Sequence, residues 1–588
     1  MGLLQKALET YEAMEGLVGI YEDGKEEPLA PIGHIVTKAQ IEVTINAEGT
    51  FVGAKQADKD QKIIIPVTEK SAGRSNNPPP HPLCEQVAFL LDWNGKLQDY
   101  ITQLTQWVNS PYSHPMLVAV LNYVRNGTMA EDLKSWGISL KKDDTVGWIV
   151  VGLGGISGPV WKDRELLKAY SNYYLSQKKD MTLCMLTGTY DISATQHLKG
   201  VFSLNGNARI ISANDSTNFT YRGRFAEPEE AASMGYLASQ KAHNALKWLI
   251  STQGTIQGGR AFVCWNPQGR AVPQPTQPVQ DQFEDEEDLF DYRNYCQDLR
   301  RKLQGYQDKW QPEDQVIIAA FDAATTGRLA ITYYNEMLGS DFLDRLAHWD
   351  ETCCWKDYYH GIQSPLLYNI IAFAFGTPRG ENGKVEPDEK LIAPQMQRLL
   401  SCRIDQAAFP LDIMQALVNK AGNLQIYKTN RNKLLCITCA VIRKYYFDHK
   451  KGEFKLALEP ERKDRSYQWG RMLAVMEKIE RDTYDPDEKR EPNAIRMQSV
   501  FVKRPGYAFM VIMEQLKNAY YPRLHIALRT KYEKLIGEIM EQIHLSLKET
   551  ENYGDPLTET YLLGYYLQKS ALYTKKETEE TEEHTDEV

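Results

Sequence analysis

Long apolar runs are missing from these 588 residues: none approaches the roughly 20 uninterrupted residues that a membrane-spanning helix requires. Patterned cysteine is missing too. The nine cysteines are scattered at 84, 184, 264, 296, 353, 354, 402, 436 and 439, an odd set without a disulfide rhythm, which points to reduced thiols and a cytoplasmic setting. The N-terminus has neither an early basic stretch nor a small-residue cleavage site, and Lys6 stands where a myristoylation signal needs Ser or Thr.

The motifs of familiar catalysts are absent as well. No G-x-x-x-x-G-K-[ST], H-E-x-x-H or paired His–Asp metal motif occurs. GLGGISG at 152–158 follows a strand, but it lacks the G-x-G-x-x-G spacing, and Pro159 and Trp161 interrupt the helix start that would bind phosphate. The single C-x-x-C, Cys436 and Cys439, lies within apolar LLCITCAVI without a second pair at zinc spacing, and reads as packing. Asp448 with Glu453 and Lys455 has the letters of a D…E-x-K nuclease set, compressed into a Lys-rich turn that reads as a solvated hairpin. Cys184 with His197, or Cys353 and Cys354 with His348, would make a thiol–imidazole pair, but the sequence shows nothing that lowers the thiol pKa or orients the base. The expectation is a protein without enzymatic activity, cofactor or metal.

What is present starts with charge. The formal net charge is −10, which taken alone argues against a polyanion partner. Residues 281–291 and 577–588, however, carry seven acids each and no base, so the rest of the chain is at +4. Acidic runs of this kind are solvated and contribute little to the field of a distant folded face. Basic residues then concentrate in the C-terminal half: Lys428 to Lys444, Lys489 to Arg504 and Arg523 to Lys534.

Periodicity sets out the organisation. IEVTINAEGTFVGA alternates around a turn and KIIIPV follows, so 41–67 is β-rich. GRSNNPPPHP (73–82) excludes regular structure. A helical section spans about 84–135, a strand about 145–153, strands and loops 181–225, a helix about 229–251 and a strand 261–265. Pro-rich and acidic composition marks a linker over 266–291. VIIAAFDAATTGRLAITYY reads as strand–turn–strand, and the remainder of 292–573 as helical, with Trp469, Met472, Met476 and Ile479 on one packing face. The fold class is α+β: a mixed N-terminal domain (1–265) with antiparallel β elements, then a mostly helical half with a central α-rich domain (292–464), a C-terminal helical bundle (465–573) and an acidic tail (574–588).

Two polar segments are candidates for reading nucleic acid. One is Gly73-Arg74-Ser75-Asn76-Asn77. The other carries Asn205, Asn207, Asn214, Asn218, Arg222 and Arg224 with Phe219, Tyr221 and Phe225 interleaved. Amide side chains both donate and accept, so they read base edges, while guanidiniums hold phosphates; equally, such residues cap turns. In SQKAHNALKWLI, Ala238, Ala242, Ala245 and Leu249 form an apolar stripe, and Gln240, Asn244 and Lys247 lie apart from it with Lys241 beside them, free to face a phosphate backbone.

LCMLTGTYDISATQHLKG, ARIISANDSTNFTYRGRF, ASQKAHNALKWLI, FDAATTGRLAITYYNEM, HWDETCCW, DRSYQWGRMLAVMEKIE and PLTETYLLGYYLQKSALY, in that order, resemble the large subunit of the type I-C CRISPR interference complex (Cascade). The resemblance implies a subunit that recognises the protospacer-adjacent motif in double-stranded DNA, promotes duplex opening and R-loop formation, and helps to recruit a separate helicase–nuclease. Arg74, Ser75, Asn76, Asn77, Asn205, Asn207, Asn214 and Asn218 are then the candidate motif readers, and Arg222, Arg224, Lys241 and Lys247 the backbone anchors. Arg496, Lys503, Arg504, Arg523 and Arg529 are candidates for holding the displaced strand. Implied partners are crRNA, the target duplex with its displaced strand, backbone subunits, the subunit that binds the crRNA 5′ end, the helicase–nuclease, and small subunits made from the same gene's C-terminal region with Met472 or Met497 as internal start. No membrane is involved. The competing readings are a purely architectural subunit and a metal-dependent nuclease or thiol hydrolase.

Overall fold

Ile41, Val43 and Ile45 alternate along their strand and are all fully buried, so one face of the first sheet is committed to a core. The computed structural model describes residues 2–22, 27–74, 77–154, 156–202, 206–211, 233–283, 289–323, 327–357, 360–379, 383–427, 429–485, 487–548 and 551–573. The predicted hairpin is there: strand Ile41–Asn46 pairs antiparallel with Phe51–Gln56 and parallel with Val146–Leu153, which turns back into Ile156–Pro159. The GLGGISG segment is therefore part of a β-hairpin and opens no helix. KIIIPV forms strand Lys62–Pro66 and pairs with His34–Lys38. The helices Leu97–Val108 and Pro115–Asn126 supply Tyr100, Leu104, Trp107, Leu117 and Val120 to the core of the first sheet.

A second sheet runs Ala330–Leu338, Gln315–Asp322, Arg260–Trp265, Thr255–Gln257, antiparallel throughout. Helices Leu3–Ala13 and Tyr236–Gln253 share its core, where the small side chains of Ala7, Ala242 and Ala245 let the two helices lie close.

The chain divides into two compact units, Met1–Val272 with Trp310–Gly339, and Pro273–Lys309 with Ser340–Val588. The strand–turn–strand at 315–338 thus joins the N-terminal unit, because strand Gln315–Asp322 completes its ladder with Arg260–Trp265. Residues 266–283, whose composition reads as a linker, are held by specific bonds within each unit. In the first, Arg270 pairs with Asp314 at 2.6 Å. In the second, Arg403 donates to the carbonyls of Pro275 (3.1 Å) and Gln277 (2.7 Å) and to both oxygens of Asp350. Asp350 also accepts from the Val279 N–H at 2.8 Å and the Ser364 hydroxyl at 3.0 Å. Such a buried pair survives because nearly every lone pair and proton finds a partner.

Helices make up most of the second unit, giving 49% helix and 16% strand overall, an α+β fold. Its centre is helix Arg465–Arg481, where Trp469, Met472, Met476 and Ile479 are buried as the stripe predicts. The helix packs against Tyr561–Tyr573 and Ile526–Leu545. An internal start at Met472 would cut this central helix, and one at Met497 would remove it.

Glu477 on that helix is buried between Arg481 (2.7 Å), Lys569 (3.0 Å) and the Tyr565 hydroxyl (2.5 Å). Burial pushes its carboxyl up, but Lys569 and Arg481 outweigh burial and hold the pKa at about 2, below the usual 4.5. A depressed folded-state pKa stabilises the fold fully above pH 4.5, and that contribution is lost as pH falls towards 2. The acid limb of an unfolding-versus-pH profile between those values should shrink by about 3 kcal/mol in Glu477→Gln. An unchanged limb in the variant would refute the assignment.

Candidate nucleic-acid interface

The proline-rich segment 73–82 begins at the end of helix Glu69–Gly73, and three of the six non-glycine residues with positive φ among the described residues fall in or beside it: Arg74 (23°), Asn77 (54°) and Leu83 (66°). Left-handed backbone at a residue like leucine is costly and persists only where its surroundings over-determine it. They do so here. The Leu83 carbonyl accepts from Trp148 Nε1 at 2.8 Å and from the Tyr100 hydroxyl. Lys96 Nζ donates to the carbonyls of Asn77 (3.1 Å) and Pro78 (2.6 Å).

Arg74 is the keystone of this loop. Its Nε donates to His81 Nε2 at 2.8 Å, one terminal nitrogen to Gln86 Oε1 at 2.6 Å, and the other to the buried Glu85 carboxylate. Because a guanidinium only donates, His81 Nε2 is the acceptor and the ring proton sits on Nδ1, 2.9 Å from the Ser71 hydroxyl. Burial, then the charges of Arg74 and Lys199, push the His81 pKa well below its usual range, so the network keeps its form at physiological pH. Glu85 also accepts the N–H groups of His81 and Gln86. Each of Arg74's three nitrogens thus donates within the protein, and the residue holds the loop. Asn77 is exposed. Ser75 and Asn76 lie outside the described residues.

Glu69 ties this loop to a second one. Its carboxylate accepts from Thr195 N (2.8 Å), Thr195 Oγ1 (2.9 Å), Gln196 N (3.1 Å) and Lys178 Nζ (2.5 Å). That positions Lys199 and Arg209, which pair across a β-bridge, with Arg209 bridged in turn to Arg328. The Arg209 guanidinium lies against Gly73, 3.3 Å from where a Cβ would stand. Burial, then Arg209 and Arg74, lower the Lys199 pKa. Lys199 donates to Asn207 Oδ1 at 2.8 Å, and Asn207 is exposed. Asn205, Asn214, Asn218, Arg222 and Arg224 lie outside the described residues. Sequence reasoning missed Lys199 and Arg209, because each is a lone cation in its own segment; only the bridge brings them together beside Arg74.

Helix Tyr236–Gln253 differs from its expected outward face. Gln240 and Asn244 are buried, and Asn244 Nδ2 donates to the carbonyls of Ala30 and Pro31 at 3.2 Å, because residues 28–38 cover that side. Lys241 pairs with Glu12 at 2.9 Å, and Lys247 with Glu27 at 3.2 Å and the Val36 carbonyl at 2.9 Å.

In the second unit Arg496, Lys503, Arg504, Arg523 and Arg529 are all exposed. Arg529 pairs with Glu533 at 2.9 Å and lies 5.3 Å above the Tyr521 ring. The other four have no side-chain partner among the described residues. Tyr507, one turn from Arg504, is 62% exposed and offers an open face for stacking. Three cations of the cluster from 428 to 444 are structural instead: Arg431 pairs with Glu491, Arg443 donates to the carbonyls of Glu351 and Thr352, and Lys444 is buried against Asp448, while Lys433 is exposed and Lys428 lies outside the described residues.

The thiol pairs do not form. His197 bonds Ser239 and stacks on His243, while His348 packs on Phe447. Burial drives the Cys354 thiol up to about 12 and that of Cys353 higher still. Cys184 departs from the expectation that nothing lowers its pKa: burial raises it, but the Thr187 hydroxyl and three N–H groups prevail and lower it, although the residue is fully buried. Among the described residues no group of His, Cys, Asp and Glu is placed to hold a metal, and no helix is long and apolar enough to cross a membrane.

Comparison with curated proteins finds no match. A family model described as CRISPR-associated protein (Cas_Csd1) matches residues 17–573, which takes in both units, the strained loop with its cations and the exposed basic helices. The chain belongs to the CRISPR-associated protein (Cas_Csd1) family.

Proposed function

We propose that this chain is the large subunit of a type I-C CRISPR RNA-guided surveillance complex, and that its N-terminal unit reads the protospacer-adjacent motif in duplex DNA. Family membership supports the setting. The carrying observation is a strained, over-determined loop that exposes Asn77 and whose first residues, Gly73 and Arg74, lie beside Arg209 and Lys199. Base readout needs a few donors and acceptors held in one geometry, and a neighbouring cation excess supplies the phosphate attraction that brings the duplex there. The four exposed cations without a side-chain partner among the described residues, with Tyr507 one turn from Arg504, suit the displaced strand. In this reading guide–target pairing carries the sequence specificity and a recruited helicase–nuclease cuts, so the chain itself needs no catalytic group.

The test is a gel-shift titration of the assembled complex on duplexes of varied motif and salt. Asn77→Ala should lose about 1–3 kcal/mol on the preferred motif and flatten the preference among motifs. Lys199→Ala and Arg209→Ala should weaken every duplex alike and reduce the salt slope by about one unit each. Normal assembly with unaltered motif preference in all three would favour an architectural role.

A further inference from the structure

One stretch of the second unit carries positive charge that its own acids leave uncompensated. From Arg496 to Lys534 there are eight Lys and Arg against two acids, Glu514 and Glu533, and all ten residues are exposed. Arg529 pairs with Glu533 at 2.9 Å, and Lys534 stands 3.9 Å from Glu538. Arg496, Lys503, Arg504, Lys517, Arg523 and Lys531 have no side-chain partner among the described residues. Tyr507, Lys517, Tyr521 and Glu533 line one cleft, so helices Pro505–Gln515 and Ile526–Leu545 are neighbours and their charges add into one field.

The chain supplies a matching polyanion. Residues 577–588 hold seven acids and no base, and they follow helix Tyr561–Tyr573 after only Thr574, Lys575 and Lys576. That helix ends beside the basic stretch. Asp482 accepts from the Tyr532 hydroxyl, and its charge reaches Tyr573 as well, while Tyr573 and Tyr532 act on each other directly. Tyr532 lies in the same turn of its helix as Arg529, Lys531 and Lys534. The 15 residues beyond Tyr573 can span up to about 50 Å, so the whole stretch is within their reach. An acidic run contributes little to the field of a distant face; this face is adjacent. Ion pairs at an exposed surface are individually weak, but the tether holds the acids near the cations at an effective concentration of about millimolar.

We infer that the acidic tail, residues 577–588, docks on the exposed cations of 496–534 and must be displaced before a nucleic-acid strand occupies them. Such competition suppresses weak, non-specific strand binding, because a strand has to outbid the carboxylates with more phosphates. The competition rests on the proposed role of these cations in holding the displaced strand. The docking does not, since it is measured without nucleic acid.

Two measurements on the full-length chain test the inference. A zero-length carbodiimide joins a carboxylate to a lysine amine only where the two touch, and peptide mapping should find acids of 577–588 joined to Lys531 or Lys534. The second is fluorescence anisotropy with a labelled single-stranded DNA. It compares the unsubstituted chain with a form whose seven tail acids are replaced by their amides, as in Glu577→Gln and Asp586→Asn. Each cation that the tail occupies removes about 0.7 from the log–log salt slope for a single strand. With about three occupied, the amide form should be steeper by about 2. Equal to the unsubstituted chain at about 0.2 M salt, it should then bind roughly tenfold more tightly at about 0.05 M. Absence of the linkages to Lys531 and Lys534 would overturn the docking. Measurable but equal affinities of the two forms at about 0.05 M salt would overturn the competition. Failure of both forms to bind the strand, with the linkages present, would count against the displaced-strand reading alone and leave the docking in place.

Discussion

Gly470→Ala should destabilise the second unit by about 3 kcal/mol, and Gly564→Ala by a similar amount. Both glycines sit inside helices, Arg465–Arg481 and Tyr561–Tyr573, where alanine is favoured by about 1 kcal/mol on backbone grounds. Packing reverses that preference. A Cβ on Gly470 would stand 1.8 Å from the Tyr561 carbonyl oxygen, and one on Gly564 would stand 2.0 Å from that of Tyr467. The obstacle on each side is backbone, so no rotamer change relieves it and the helices must separate. Separation would loosen a seam that buries Trp469, Leu473, Met476, Leu563 and Tyr565. Gly537 on helix Ile526–Leu545 is the matched control: nothing lies within 4 Å of its would-be Cβ, and Gly537→Ala should stabilise by up to about 1 kcal/mol. Urea unfolding followed by tryptophan fluorescence, with Trp469 beside Gly470, reads all three. A Gly470→Ala midpoint equal to that of the unsubstituted protein would remove the seam from the account.

The second large effect belongs to the loop. Glu85→Ala should cost about 3–5 kcal/mol locally, since it leaves the Arg74 guanidinium short of its carboxylate and strands the N–H groups of His81 and Gln86. The loss is confined to the segment that this carboxylate gathers, so hydrogen exchange should rise over 74–86 with the second unit unaffected. Under the proposed function the variant complex should lose motif discrimination while retaining salt-dependent affinity, because the cations of Lys199 and Arg209 are anchored separately through Glu69. Glu85→Gln keeps an oxygen for the N–H groups but not the charge, and should fall between. Unchanged exchange over 74–86 in Glu85→Ala would show that the strained backbone at Arg74, Asn77 and Leu83 is held by something else.

Much of the fold was legible because its signals are local. The alternation of Ile41, Val43 and Ile45, the apolar run at 62–66, the spacing of Trp469, Met472, Met476 and Ile479, and the prolines after Asn77 each act within a few residues of themselves. The site was less legible. Arg74 was picked out as a base reader, and its donors are engaged by His81, Gln86 and Glu85, which are 7 to 12 residues away. Gln240 and Asn244 have the spacing of a solvated edge but lie beneath residues 28–38, a covering that no helical period encodes. Lys199 and Arg209 show no pattern at all until a β-bridge sets them side by side.

By itself the sequence determined the α+β class, the positions of the main strands and helices and, through its motif order, the family. These follow from side-chain periodicity and turn chemistry, which are read one segment at a time. Tertiary structure alone decided which cations stand together, which amides are covered, and where two helices touch backbone to backbone. Those outcomes depend on pairings between residues as far apart as Glu69 and Thr195 or Gly470 and Tyr561, and the energy of such a contact exists only once both partners have been brought to the same place.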